Sequence, residues 1–357
     1  MNNIKYIING SFLCRNLTGI ERFSYEILTR LDNFPQAKHI AIFIPQNAKQ
    51  LPELKNISII KGKKSLKSYP FWTNFIYGFC LIKNHAIGID FANTCSIFKP
   101  GIVFIHDIYC KIYKDDFHTF RDKLVRIYSC FMYRFCAKHA KKLFTVSEFS
   151  KMQISQHYGI SVDKITVIPN GWDHFKNIKM DFSILNNTPK LQNGFYFTLG
   201  SLSKRKNLKW ILDYAKKNPD DLFAISGKPL NDLIPNELDQ LKKLKNIIFL
   251  GYLTDGQVKA LMSKCKAFIF PSYYEGFGIP PLEALSVGAK IIVSKAACLP
   301  EIYGNTAHYI DPDNPDVNLN QLLEQPVESP ERILKKYTYD NAAEQLIACL
   351  DFLFFCC

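Results

Sequence analysis

At 357 residues, with 47% hydrophobic and 22% charged side chains, the chain is a folded globular protein rather than a disordered one, and it is too long for one ordinary core. Forty-five Lys and Arg against 32 Asp and Glu leave a formal charge of +13, which suits anionic partners: nucleotides, phospholipid headgroups, lipid pyrophosphates or nucleic acid. The 11 cysteines lie scattered through apolar segments without the paired C-x-x-C spacing of a zinc site, which fits reduced thiols in a cytosolic protein.

Short runs rich in Ile, Val and Phe alternate with helical patterns along the whole chain. In the first half they fall at 5–9, 39–45, 102–106, 143–147 and 165–169; in the second half at 195–199, 222–226, 247–250, 267–271 and 290–294. Continuous apolar strands of this kind are buried on both faces, so they predict parallel sheets covered by helices. The expected fold class is α/β, with two doubly wound parallel-sheet domains facing a central cleft. The polar, irregular stretch around 172–191 follows the turn signal Pro169-Asn170-Gly171 and reads as the boundary. The expected division is an N-terminal domain over 1–172, a linker over 173–190, a C-terminal domain over 191–338 and a terminal helix over 339–357 packing back on the N-terminal domain. The N-terminus lacks the basic-then-apolar order of a signal peptide. The longest apolar stretches, 71–82 and 346–357, fall short of the roughly 20 residues that span a bilayer. The expectation is a cytoplasmic protein, soluble or peripheral on the inner face of the membrane.

Four segments carry candidate chemistry. In 268–288 a strand gives way to a loop with Gly276, Phe277 and Gly278, and Pro280-Pro281 open a helix. Backbone N–H groups at such a loop, next to a helix N-terminus, favour a diphosphate. Glu275 precedes the loop and Glu283 follows eight residues on, so two carboxylates can accept from sugar and ribose hydroxyls. In 199–208 a strand ends at a glycine turn, and Lys204, Arg205 and Lys206 crowd the start of the next helix. Three cations there repel one another and the helix dipole unless an anion is bound. Gly19 leads into the helical pattern 20–31 after the first strand, without the G-x-G-x-x-G fingerprint. His106 and Asp107 stand at the carboxyl end of the strand 102–106.

These segments resemble glycosyltransferase family 4, of GT-B fold. The likeness rests on Thr18-Gly19-Ile20-Glu21-Arg22-Phe23, Ile105-His106-Asp107, Thr145-Val146-Ser147-Glu148-Phe149-Ser150, Val167-Ile168-Pro169-Asn170-Gly171, Arg205-Lys206-Asn207 and the E-G-F-G-x-P-x-x-E run from Glu275 to Glu283. It covers roughly residues 5–345 and implies a retaining transferase of the kind that builds O-antigens, capsules and other surface polysaccharides. Carried over residue by residue, it implies Glu275, His106 and Lys206 as catalytic residues. The donor is then bound by Arg205, Lys206, Ser201, Gly276, Phe277, Gly278 and Glu283, with Gly19, His106 and Asp107 on the acceptor side. Ser201 is a departure, because many relatives carry Arg there; Arg205 is the expected substitute. No D-x-D motif stands at a donor loop, and neither a cofactor nor a metal is expected, since Lys206, Arg205 and the helix dipole can neutralise the leaving group. Glu275→Ala is expected to abolish transfer while leaving the melting temperature nearly unchanged.

The implied partners are a GDP-, UDP- or dTDP-linked sugar donor and a glycan or polyprenyl-diphosphate-linked acceptor. No nucleic acid is expected, because no nucleic-acid motif accompanies the charge. Segment 118–142 carries seven Lys or Arg and one Asp, with Phe120, Leu124, Ile127, Phe131 and Phe135 at helical spacing. Two readings stay open for it: a basic amphipathic helix on an anionic membrane surface, or a core-facing helix with a solvated rim. Two other functions compete with transfer, namely a GT-B-shaped sugar-nucleotide epimerase and a non-catalytic partner subunit.

Overall fold

The computed structural model describes residues 4–17, 19–200, 203–227 and 243–355. Among these, the backbone divides into two compact units, 1–171 with 337–357, and 172–336.

The first unit is built on a seven-stranded sheet of order β3-β2-β1-β4-β5-β6-β7, with β1 Tyr6–Asn9, β2 Ile40–Ile44, β3 Ser58–Lys61, β4 Ile87–Asp90, β5 Ile102–Phe104, β6 Lys142–Thr145 and β7 Ile165–Val167. Every pair is parallel; β1, for instance, sets Ile7 beside Ala41 on one side and Gly88 on the other. The apolar runs explain this directly: β1 and β2 are buried along their whole lengths, as strands covered on both faces must be. Three strands escaped the sequence reading. β3 is an edge strand and largely exposed, β4 is interrupted by Gly88, and β13 in the second unit has three residues, so none shows a long apolar run.

The helix Ile20–Leu31 covers one face through Phe23, Ile27, Leu28 and Leu31. The C-terminal helix Tyr339–Phe355 packs against it, burying Tyr339, Ala342, Ala343, Leu346 and Leu350 in the same cluster. Arg30 Nε donates to Asp340 Oδ1 at 2.7 Å, and Tyr6 donates its hydroxyl to the Leu350 carbonyl at 3.3 Å. Each buried Leu or Phe here contributes roughly 1.5–3 kcal/mol, so this helix is part of the first core rather than an appendage.

The helix Phe120–His139 is opened by a capping box between Thr119 and Asp122. It buries only Met132, Tyr133 and Cys136. Phe120, Leu124, Ile127 and Phe131, the stripe read from the sequence, are all more than half exposed. The core-facing alternative is therefore wrong for these four residues.

The second unit carries a six-stranded parallel sheet of order β10-β9-β8-β11-β12-β13, with β8 Tyr196–Leu199, β9 Phe223–Ser226, β10 Ile247–Gly251, β11 Ala267–Phe270, β12 Ile291–Ser294 and β13 His308–Ile310. Trp210, Ile211, Tyr214 and Ala215 of the helix Leu208–Lys217 fill its core. Segment 173–190 packs into this unit: the buried Lys259 ammonium donates to the carbonyls of Phe175, Lys176 and Ile178 at 2.6, 3.0 and 2.8 Å. Both sheets are Rossmann-like, and the chain has the GT-B class of fold. No described helix is long and apolar enough to cross a membrane.

Candidate functional site

In the second sheet the strand order reverses between β8 and β11, which pair in parallel through Phe197 and Phe268. Open α/β sheets bind ligands at the carboxyl ends of the strands where such a reversal opens a crevice. Both candidate donor loops leave the sheet there.

After β8 the chain turns at Gly200, whose φ of +148° suits glycine, and a Cβ there would stand 3.3 Å from Lys206 Cε. Lys204–Lys206 form a 3-10 turn, and Asn207 ends it in the left-handed region at φ 55°. Asn tolerates that conformation, and its side chain then caps the helix Leu208–Lys217 by accepting from Trp210 N. Asn207 Nδ2 also donates to the Pro271 and Pro312 carbonyls at 3.1 and 2.7 Å, while Tyr273 N donates to the Arg205 carbonyl at 2.8 Å. The two loops are thereby laced together.

The lacing brings the cations onto one carboxylate. Arg205 Nη1 donates to Glu275 Oε2 at 3.0 Å and to the Tyr274 carbonyl at 3.2 Å. Lys206 Nζ donates to Glu275 Oε1 at 2.7 Å and lies 4.5 Å from the centre of the Phe270 ring. Glu275 is 7% exposed. Burial pushes its carboxyl up, yet the charges of Arg205 and Lys206, with the hydrogen bond from Lys206, outweigh that and hold it below the usual carboxylate range. The cation repulsion expected from the sequence is thus relieved inside the chain, by Glu275. A diphosphate arriving here meets two cations already oriented and shared with an acid, which is an electrostatically preorganised arrangement.

The glycine loop follows. Gly278 has φ 84°, and a Cβ there would meet Leu299 Cδ2 at 2.8 Å. Its carbonyl accepts a hydrogen bond from the buried Tyr303 hydroxyl. The helix Ile279–Ser286 begins directly after it, with its prolines in the first turn. Glu283 lies within that helix, 12% exposed, and its Oε1 stands 3.1 Å from His174 Nε2. Sequence reasoning missed His174, because a lone His after a turn carries no signal. Ser201 lies outside the described residues.

The remaining candidates belong to the first unit. Gly19, at φ 50°, starts the helix Ile20–Leu31. His106 is 5% exposed, with the Phe23 ring of that helix edge-on at 4.9 Å. Its backbone N–H donates to Asn93 Oδ1 at 2.7 Å, and its Nε2 lies 2.8 Å from the Phe91 carbonyl. A carbonyl only accepts, so Nε2 carries the proton and Nδ1 keeps its lone pair. Burial lowers the imidazole pKa to about 4, against a weaker opposing effect from the Phe91 bond, and keeps the ring neutral near pH 7. Asp107 accepts from Tyr109 N at 3.0 Å, a local turn that starts the helix Tyr109–Ile112. Among the described residues no group of three or more His, Cys, Asp or Glu is placed to hold a metal ion.

The comparisons agree with the geometry. Residues 183–344 match the family "Glycosyl transferases group 1", and residues 19–174 match "Glycosyltransferase Family 4". The chain is 25% identical over 360 residues to the O-antigen chain mannosyltransferase RfbU of Salmonella typhimurium, covering 95% of this chain and 98% of that one. It is 27% identical over 259 residues to the UDP-Gal:alpha-D-GlcNAc-diphosphoundecaprenol alpha-1,3-galactosyltransferase of Escherichia coli, covering 67% and 64%. The fold is similar to that of Anabaena Alr3699/HepE, solved in complex with UDP and glucose, with a TM-score of 0.69, 15% identity and coverage of 98% and 99%.

Proposed function

The chain belongs to glycosyltransferase family 4 and is a glycosyltransferase of polysaccharide synthesis; from that premise we propose that it moves a hexose, with retention and without a metal, from a nucleotide sugar to a lipid-linked or glycan acceptor of a surface polysaccharide. The arrangement of Arg205 and Lys206 on Glu275 at the β8–β11 switch point carries this reading.

Sugar transfer breaks the bond between the anomeric carbon and a phosphate oxygen. The electron pair leaves with the nucleoside diphosphate while positive charge grows on the ring. Lys206 and Arg205 neutralise the departing diphosphate in a largely buried setting, where such charges act strongly. The Gly276-Phe277-Gly278 loop and the following helix tip add backbone donors. Glu283 accepts from the ribose hydroxyls, and Glu275 faces the transferred sugar. His106, neutral and donating from Nε2 to the Phe91 carbonyl, offers Nδ1 as an acceptor for a substrate hydroxyl. The donor is a GDP-, UDP- or dTDP-linked sugar, and the lipid-linked galactosyltransferase relative supports a polyprenyl-diphosphate acceptor. The outward stripe Phe120, Leu124, Ile127 and Phe131, set among Arg121, Lys123 and Arg134, supports peripheral attachment to anionic lipid on the cytoplasmic face.

The test is a panel of GDP-, UDP- and dTDP-sugars, read by thermal shift and by transfer of labelled sugar to extracted membrane lipid. One donor class is expected to raise the melting temperature of the wild type and to support transfer; K206A is expected to lose both. A folded protein indifferent to every donor, or full turnover by K206A, overturns the proposal.

A further inference from the structure

We propose that His174 is a positioning residue for nucleotide binding, holding the Glu283 carboxylate in the orientation that accepts the ribose hydroxyls; this rests on the donor-site reading above. His174 Nε2 lies 3.1 Å from Glu283 Oε1, and the two side chains are 5% and 12% exposed. A carboxylate only accepts, so the imidazole donates through Nε2–H. A carboxylate has about four lone-pair sites, and this bond uses one while fixing the plane of the group, leaving the rest for a vicinal diol. Left to itself, the same carboxylate on a helix surface rotates about its terminal torsion, and part of each hydrogen bond to substrate is lost in ordering it.

The turn that carries His174 is itself anchored. It is a single 3-10 turn, Asp173–Phe175, too short to hold a shape alone. Phe175 is buried beneath it, and the Lys259 ammonium collects the carbonyls of Phe175, Lys176 and Ile178 within 3.0 Å. Trp172, just before, donates Nε1–H to the Leu334 carbonyl at 2.8 Å. A buried cation spent wholly on three backbone carbonyls makes no contact with a ligand by itself. Its effect is to make the imidazole a rigid donor, the support that a binding carboxylate requires.

Ribose discrimination tests this, because a merely structural role would not move it. Binding of GDP, UDP and their 2′-deoxy counterparts is measured by calorimetry for the wild type, H174L, H174N, H174Q and E283A. Wild type is expected to prefer the ribonucleotide about tenfold or more, the scale of a hydrogen bond to a charged group. H174L and H174N, the second too short to reach Glu283, should shrink that preference to within about threefold while the phosphate grip of Arg205 and Lys206 persists. H174Q keeps a donor near the Nε2 position and should restore most of the preference. Wild-type discrimination retained in both H174L and H174N but lost in E283A overturns the role of His174 and leaves the donor-site reading standing. Discrimination retained in E283A, or absent from wild type, removes the ribose from Glu283 and this inference with it. A wild type that binds only dTDP, which has no 2′-hydroxyl, overturns this inference alone, and one that binds none of GDP, UDP and dTDP fails the proposed function itself.

Discussion

Replacing Glu275 by Gln keeps the shape of the side chain and removes its charge, leaving Arg205 and Lys206 facing each other without an anion. Breaking a buried ion pair costs about 3–5 kcal/mol. Arg205 and Lys206 are 26% and 13% exposed, so water recovers part of that, and about 2–4 kcal/mol is the expected loss. For a unit of this size, 1 kcal/mol moves Tm by about 2–4 °C, which puts the drop at roughly 4–16 °C. This reverses the expectation, drawn from the sequence alone, that Glu275 can be removed without thermal consequence. The same geometry predicts rescue. An anion binding the native state only stabilises it by mass action, and in E275Q it also takes the place of the carboxylate that Arg205 and Lys206 have lost. Inorganic pyrophosphate, GDP or UDP should therefore raise Tm more in E275Q than in wild type, as read by scanning calorimetry. The carboxyl is held low in the folded state, so its contribution is present above the unfolded pKa and fades as pH falls through the folded value; the gap between the two proteins should close in acid. An E275Q that melts within 1 °C of wild type at pH 7, with an equal ligand shift, would refute the argument.

Asp90 supplies a test at higher pH. Burial raises its carboxyl from 3.8 to about 8, against a smaller lowering effect of the Asn9 hydrogen bond. The folded state then holds a proton that the unfolded state releases, so stability declines as pH rises from about 4 to about 8. The displacement caps the penalty at roughly 6 kcal/mol, and D90N should flatten the profile in denaturant titrations; an unchanged slope for D90N counts against it. G278A places a Cβ 2.8 Å from Leu299 Cδ2 on a backbone at φ 84°; it should weaken nucleoside diphosphate binding at least tenfold and lower Tm, measured by calorimetry. Liposomes rich in anionic lipid should float the wild type at low salt and release it at high salt. The triple variant L124S/I127S/F131S should stay behind, and equal flotation of both proteins would remove this face from the membrane.

Most of the scaffold was legible because buried parallel strands advertise themselves as apolar runs, and ten of them were read as such. What stayed hidden had weak signals for physical reasons. The edge strand Ser58–Lys61 is solvated, so it needs no apolar face. His308–Ile310 is too short to show a pattern. Within the site, Arg205, Lys206, Glu275 and Glu283 stood out through their spacing. Their partners did not: that Arg205 and Lys206 share one acid 70 and 69 residues away depends on how β8 and β11 pair, and that His174 meets Glu283 depends on how distant segments pack. Pairing across a sheet is a tertiary fact. The direction of the Phe120–His139 stripe was equally undecidable from periodicity, since an amphipathic helix has the same pattern whether its apolar side meets core or lipid.

The two sheets share the order 3-2-1-4-5, yet the proposed donor site lies on only one, and the loops after the first strands give the reason. After β1 the chain enters a 3-10 turn, Gly10–Cys14, whose Gly10, Ser11, Phe12 and Leu13 are buried. A Cβ on Gly10 would stand 2.7 Å from the Phe43 carbonyl, so backbone already fills the place where a phosphate would lie. At the β1–β4 reversal Asn9 Nδ2 donates to Asp90 Oδ1 at 2.9 Å, and Trp72 Nε1 donates to Asn9 Oδ1 at 3.1 Å. Asp90 is buried there, and that burial raises its carboxyl. After β8, by contrast, a glycine turn, two cations and a helix start come within ten residues, and β11 adds a second glycine loop ahead of a second helix. A duplicated topology provides two reversals, but a diphosphate needs open backbone and positive charge, and among the described residues only the second reversal supplies both.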